Sequence, residues 1–222
     1  MSESVSGSVD VTLRALEADL IARFADDVAH EVRNPLNALV INFEVLRRRV
    51  TAGDAAAALE RIDVLADEVH RVHRIIERLI ALLRPARAGD GSSELLAACD
   101  DVLPLLAVRA RAMRTTFEPA TELQFDVGMP LDRLRFVLLD TGMAALDFAG
   151  VGGHLSCIGP AAAGVDCFVW RASGASVRSP SGPDAATFRL TRAILALTGG
   201  DVDVRAGQNG AVEVVVGLPA VA

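Results

Sequence analysis

The sequence predicts an α+β fold, with a long helical hairpin first and then an α/β sandwich carrying helices on one face of a mostly antiparallel sheet. Three observations predict it. Apolar residues recur at steps of three and four along two stretches separated by a short turn, a small and glycine-bearing segment follows, and beyond it strand-like alternation and helical periodicity take turns.

From about Thr12 to Val50 the residues Ile21, Phe24, Val28, Val32, Leu36, Leu39, Phe43, Leu46 and Val50 keep the helical period. Thr51-Ala52-Gly53-Asp54 comes next, with Gly53 suited to end one helix and Asp54 to cap another. Leu59, Ile62, Leu65, Val69, Val72, Ile76, Leu79 and Leu83 then repeat the pattern until Arg84-Pro85, where proline stops it. Two helices alone cover only part of their apolar stripes. Two identical hairpins pairing into a four-helix bundle would complete the core, so a homodimer is expected; the alternative is that the hairpin packs on the second half of its own chain.

The division expected is a disordered N-terminus over 1–11, the hairpin over 12–86, a linker over 87–93 and the sandwich over 94–222. Within the sandwich, Ser93 to about Met113 reads as a helix, Leu123–Val127 as a strand and Leu131–Phe148 as a helix. Strands are expected at His154–Ile158 and Val165–Trp170. A helix from about Asp184 to Thr198 ends at Gly199-Gly200, and Asp201–Arg205 with Val212–Val216 forms a hairpin through Gln208-Asn209-Gly210.

With 222 residues and 51% hydrophobic content the chain can hold a sizeable core. A net charge of −7 argues against a nucleic-acid partner, which demands a basic surface, and Arg47-Arg48-Arg49 fans out over different faces of a helix end. No stretch reaches the roughly 20 apolar residues of a bilayer span, and no leader pattern opens the chain, so a cytoplasmic protein without a membrane partner is expected. Cys99, Cys157 and Cys167 lack metal-ligand spacing and read as structural thiols; His70, His73 and His154 read as solvated surface.

His30 differs from the other histidines. It lies two residues from both Val28 and Val32, so at about 100° per residue it points away from the apolar stripe. Asn34, one turn on, shares its face. Imidazole is a nucleophile near neutral pH, and the adjacent Glu31 can accept the ring N–H and leave the other nitrogen ready to attack. Pro35 withholds a donor from the Glu31 carbonyl and should kink the helix there.

The string Ala29-His30-Glu31-Val32-Arg33-Asn34-Pro35-Leu36 resembles the H box of bacterial two-component histidine kinases. The resemblance implies that His30 accepts phosphate, that Glu31 assists as a carboxylate, and that Asn34 positions water for hydrolysis of a phospho-aspartate. It also implies a response-regulator receiver domain as partner, docking over Arg33 and Asn37, with Mg²⁺ arriving in the receiver's acidic pocket; that no cofactor is intrinsic to this chain is expected instead from the nucleotide motifs its second half lacks.

The second half resembles the same family's ATPase domain in layout, in degenerate form. Where that family's metal-ligating asparagine aligns stands Ala144, which has no oxygen to offer. The basic residues of this chain are all arginines, so the family's N-box lysine has no counterpart. Arg171-Ala172-Ser173-Gly174-Ala175 occupies the place of the adenine-binding acidic box, and Ser179–Pro183 that of the glycine-rich lid. The expectation is a phosphorelay protein that exchanges phosphate on His30 with a receiver, or removes it, without binding ATP. An ATP-dependent sensor-type kinase and a non-catalytic pseudokinase scaffold are the alternatives.

Overall fold

The computed structural model describes residues 2–84, 91–120, 123, 125–159, 167–174 and 187–221, with side chains from Val11 onward. Helix α1 spans Ser2–Thr51 and α2 spans Ala55–Leu83. Between them Gly53 takes φ +76°, a conformation open to glycine without strain, and the Asp54 carboxylate accepts the Ala57 N–H at 3.2 Å to cap α2. Helix α1 runs through Pro35 without a break in its assignment. It also begins at Ser2 rather than near Thr12, which corrects the expected disorder of 1–11. Extending a formed helix fixes fewer dihedrals per hydrogen bond than starting one, so weak helix formers can follow an established helix.

The second half pairs β1 (Ser93–Glu94) with β3 (Asp126–Val127) in a small antiparallel ladder beside a five-stranded sheet. Helix α3 therefore starts at Leu95, after β1, and ends at Ala112. The sheet contains β2 (Thr116–Glu118), β4 (His154–Ile158), β5 (Cys167–Ser173), β6 (Asp201–Ala206) and β7 (Val212–Gly217) in the order β2-β4-β5-β7-β6, with β2 and β4 parallel and the other neighbouring pairs among the described residues antiparallel. Helix α4 (Leu131–Ala149) lies on the face built by Leu155, Phe168, Trp170, Ala172, Val214 and Val216, all fully buried. The expected strand over Leu123–Val127 shrinks to β3, because its ladder with β1 is only two residues long. Strand β5 runs on to Ser173, carried by pairing of Arg171 with Glu213 and of Ala172 with Val212. Helix α5 is Arg189–Thr198, preceded by buried Phe188 with φ +62°, which breaks helical continuity; the expected start at Asp184 lies outside the described residues. The linker residues 87–90 and the segment Ser179–Pro183 lie outside the described residues.

Trp170 is the centre of the sheet's packing. Its indole N–H donates to Thr141 Oγ1 at 2.9 Å and its ring meets Phe168 edge-on at 4.8 Å. A Cβ on Gly142 would sit 2.3 Å from Leu106 Cδ1 and 3.0 Å from the Trp170 ring, so glycine lets α3, α4 and the sheet close together. Cys99 and Cys157 are buried, as expected of structural thiols, and burial pushes the Cys157 thiol up to about 11.

The hairpin uses two surfaces. Leu13, Leu20, Phe24 and Val28 of α1, with Ile75 and Leu82 of α2, join the same buried cluster as Leu106, Leu138 and Trp170. Ion pairs reinforce this contact, with Arg133 on Glu17 at 2.7 Å, Arg109 on Asp27 at 2.6 Å and Arg111 on Glu31 at 2.6 Å. The alternative of packing on the same chain thus holds for the first half of α1. Other apolar residues stay bare, on the turn-proximal half of α1 at Leu36, Val40, Phe43 and Val50 and along the whole of α2 at Leu59, Ile62, Val69, Ile76, Ile80 and Leu83. No helix among the described residues is long and apolar enough to cross a membrane.

Candidate functional site

Helix α1 positions the site by its periodicity. Phe24, Val28, Glu31 and Pro35 follow one another at steps of four, three and four and are all buried, forming the seam that faces the rest of the chain. His30, Arg33, Asn34 and Asn37 take the complementary spacing and are all exposed. The structure therefore brings His30, Asn34, Arg33 and Asn37 onto one solvent-facing stripe, as the sequence places them.

Glu31 is arranged otherwise. It is only 7% exposed, and its Oε1 accepts from Arg71 of α2 at 2.7 Å and from Arg111 of α3 at 2.6 Å. Desolvation alone would push its carboxyl upward. The hydrogen bonds and charges of Arg71 and Arg111 outweigh that and hold it below the usual carboxylate range. The same contacts draw the carboxylate toward the α2–α3 junction, so in this conformation it is committed to two guanidinium groups. The expectation that it serves the imidazole requires it to leave them.

Arg109, also on α3, donates to Asp27 at 2.6 Å and Asp147 at 2.8 Å and ties α1 to α4. Sequence reasoning missed these arginines. Arg71, Arg74 and Arg78 at steps of three and four on α2 were a legible stripe, but nothing local announced Arg111.

On α4, Ala144 is half-buried and carries no donor atom. One turn earlier Asp140, 5% exposed, accepts from the Thr191 backbone N–H at 3.2 Å and the Thr191 hydroxyl at 2.8 Å, with Arg23 of α1 at 3.5 Å. At the end of β5, Arg171 binds Glu213 at 2.8 Å, and Glu213 also accepts from Arg205 at 3.0 Å. Among the described residues from Arg171 to Gly174 there is no carboxylate.

The site is thus a helical hairpin that presents a histidine and an asparagine one turn apart, followed by an α/β sandwich. Residues 20–87 match the His Kinase A (phospho-acceptor) domain, and the chain resembles the bacterial two-component histidine kinases. Among curated proteins it is 31% identical over 152 residues to the sensor histidine kinase ZraS of Klebsiella oxytoca, covering 66% of this chain and 32% of that one. It is 28% identical over 141 residues to ZraS of Escherichia coli strain K12, covering 61% and 29%. The chain thus spans about a third of the length of the curated relatives it matches. Among solved structures, a bacterial phosphotransferase aligns with a TM-score of 0.45 and 14% identity over 90% of this chain and 96% of that one. The catalytic domain of histidine kinase ThkA aligns with a TM-score of 0.47 and 16% identity over 59% and 95%.

Proposed function

We propose that this protein carries phosphate on His30 and exchanges it with the aspartate of a response-regulator receiver domain, without using ATP of its own. The observation that carries this reading is the exposed stripe of His30, Arg33, Asn34 and Asn37 on a helix whose opposite seam is fixed by packing. An imidazole nitrogen attacks the phosphorus of an aspartyl phosphate. The N–P bond forms as the P–O bond to the carboxylate breaks, the electron pair leaves with that carboxylate, and the reverse step passes phosphate to a second receiver. Mg²⁺ enters with the receiver's acidic pocket. The Asn34 amide can both donate and accept, which suits it to orient a water for dephosphorylation. The bare apolar residues on the turn-proximal half of α1 and along α2 support a homodimer through a four-helix bundle.

The residues of α4 support independence from ATP, because they fit a Mg–nucleotide poorly. Ala144 supplies no ligand oxygen, and Asp140 is already bound to Thr191 and Arg23. The intact string from Ala29 to Leu36 favours the second reading, an ATP-dependent autokinase.

The test offers the protein γ-labelled ATP with Mg²⁺ and, separately, a labelled phosphoreceiver, each against wild type and His30→Ala. The expected result is label from the receiver alone, lost with His30→Ala. Label from ATP that His30→Ala removes would overturn the ATP-independent part. Label from neither source would overturn phosphotransfer and leave a scaffold.

A further inference from the structure

Beside the Glu31 carboxylate lies a hollow of about 300 Å³, and four of its lining residues are Arg71, Arg74, Arg78 and Arg111. Glu31 is the only carboxylate among the lining residues, in a chain whose net charge is −7. Cations concentrated in an acidic protein, against a wall that includes Ile75 and Pro104, make a cleft that attracts anions and screens them less than open water does. Arginine is suited to phosphate in particular, since its planar fork gives two parallel hydrogen bonds to one phosphoryl group. Arg71 and Arg111 are spent on Glu31, whereas no acid in the structure engages Arg74 and Arg78 among the described residues. Glu68, on α2, adds its field to Arg71.

We propose that this hollow between α2 and α3 binds a small free molecule carrying a diphosphate group. A single phosphate would engage two of the guanidinium groups, while the volume and the four-fold cationic lining suit a compact anion with more than one phosphoryl group. Such an anion competes with Glu31 for Arg71 and Arg111. Binding would therefore release the carboxylate next to His30 and loosen the tie between α1 and α3 that Arg111 provides. This coupling rests on the phosphotransfer role of His30; the binding site itself does not.

Inorganic pyrophosphate is the probe, titrated calorimetrically into the full chain with sulfate at matched ionic strength as the control. Saturable binding of one pyrophosphate per chain is expected, weakened about tenfold or more in the Arg74→Ala, Arg78→Ala double variant, since a lost charge-assisted hydrogen bond is worth about that factor. Arg78→Lys, which keeps the charge and loses the fork, should fall between. Glu31→Gln should tighten binding by removing the competing carboxylate, and His30→Ala should leave it unchanged, so failure of this site and failure of the phosphotransfer reading give different results. No binding, equal binding of sulfate, or binding indifferent to the double variant would overturn the site. Unchanged affinity in Glu31→Gln would overturn the competition.

Discussion

Removing the Arg109 side chain tests whether the hairpin and the sandwich are bound as one unit. Its guanidinium spans both, at 2.6 Å from Asp27 on α1 and 2.8 Å from Asp147 on α4. The two arms are unequal. Asp147 is 58% exposed, and an ion pair so open to water is worth about 0–1 kcal/mol. The Asp27 and Arg109 side chains are 20% and 19% exposed, and a charged hydrogen bond in that setting contributes about 1.5–3 kcal/mol. Arg109→Ala should therefore cost about 2–3 kcal/mol, which for a chain of this size lowers Tm by about 5–10 °C. The assay is a double-mutant cycle in urea with Asp27→Ala, Arg109→Ala and both together. A coupling of about 1–2 kcal/mol is expected, with most of the loss in either single variant already present in the other. Strict additivity of the two substitutions would refute the docking of α1 on α3.

Two further outcomes are expected. The bare stripe should make the wild type a dimer in light scattering, and Ile76→Glu with Ile80→Glu should give a folded monomer; a monomeric wild type or a dimeric variant would count against the bundle. Because the Glu31 carboxyl is held below its ordinary value of 4.5 in the folded chain, its ion pairs stabilise fully above that value and are lost as pH falls through the depressed one. The Tm gap between wild type and Glu31→Gln should accordingly be widest near neutrality and close on acidification, and a gap that stays constant with pH would refute the assignment.

Much of the hairpin was legible because its determinants are local. Periodicity located both helices, Gly53 and Asp54 announced the turn, and the position of His30 relative to Val28 and Val32 placed it in solvent. The second half was legible where apolar runs coincide with strands, as at His154–Ile158, and less so where pairing decides the ends. Strand β5 passes Trp170 because β7 supplies partners through Ala172, and β3 is cut short because β1 offers only two residues.

Glu31 shows how a correct local pattern can mislead about a side chain's employment. Reading the stripe as Val28, Val32 and Leu36 puts Glu31 beside His30 and leaves its carboxylate free for the imidazole. The buried seam is instead Phe24, Val28, Glu31 and Pro35, offset by one position at each later step. A carboxylate on such a seam must be paired, because burying it alone is too costly, and the pairing comes from Arg71 and Arg111, 40 and 80 residues away. Pairing at that range has no signature in the residues around Glu31. It follows that the second domain reaches the helix of His30 through Arg111, which with Arg71 fixes where the neighbouring carboxylate points; under the proposed role of His30, any event that draws Arg111 away would alter the surroundings of its imidazole.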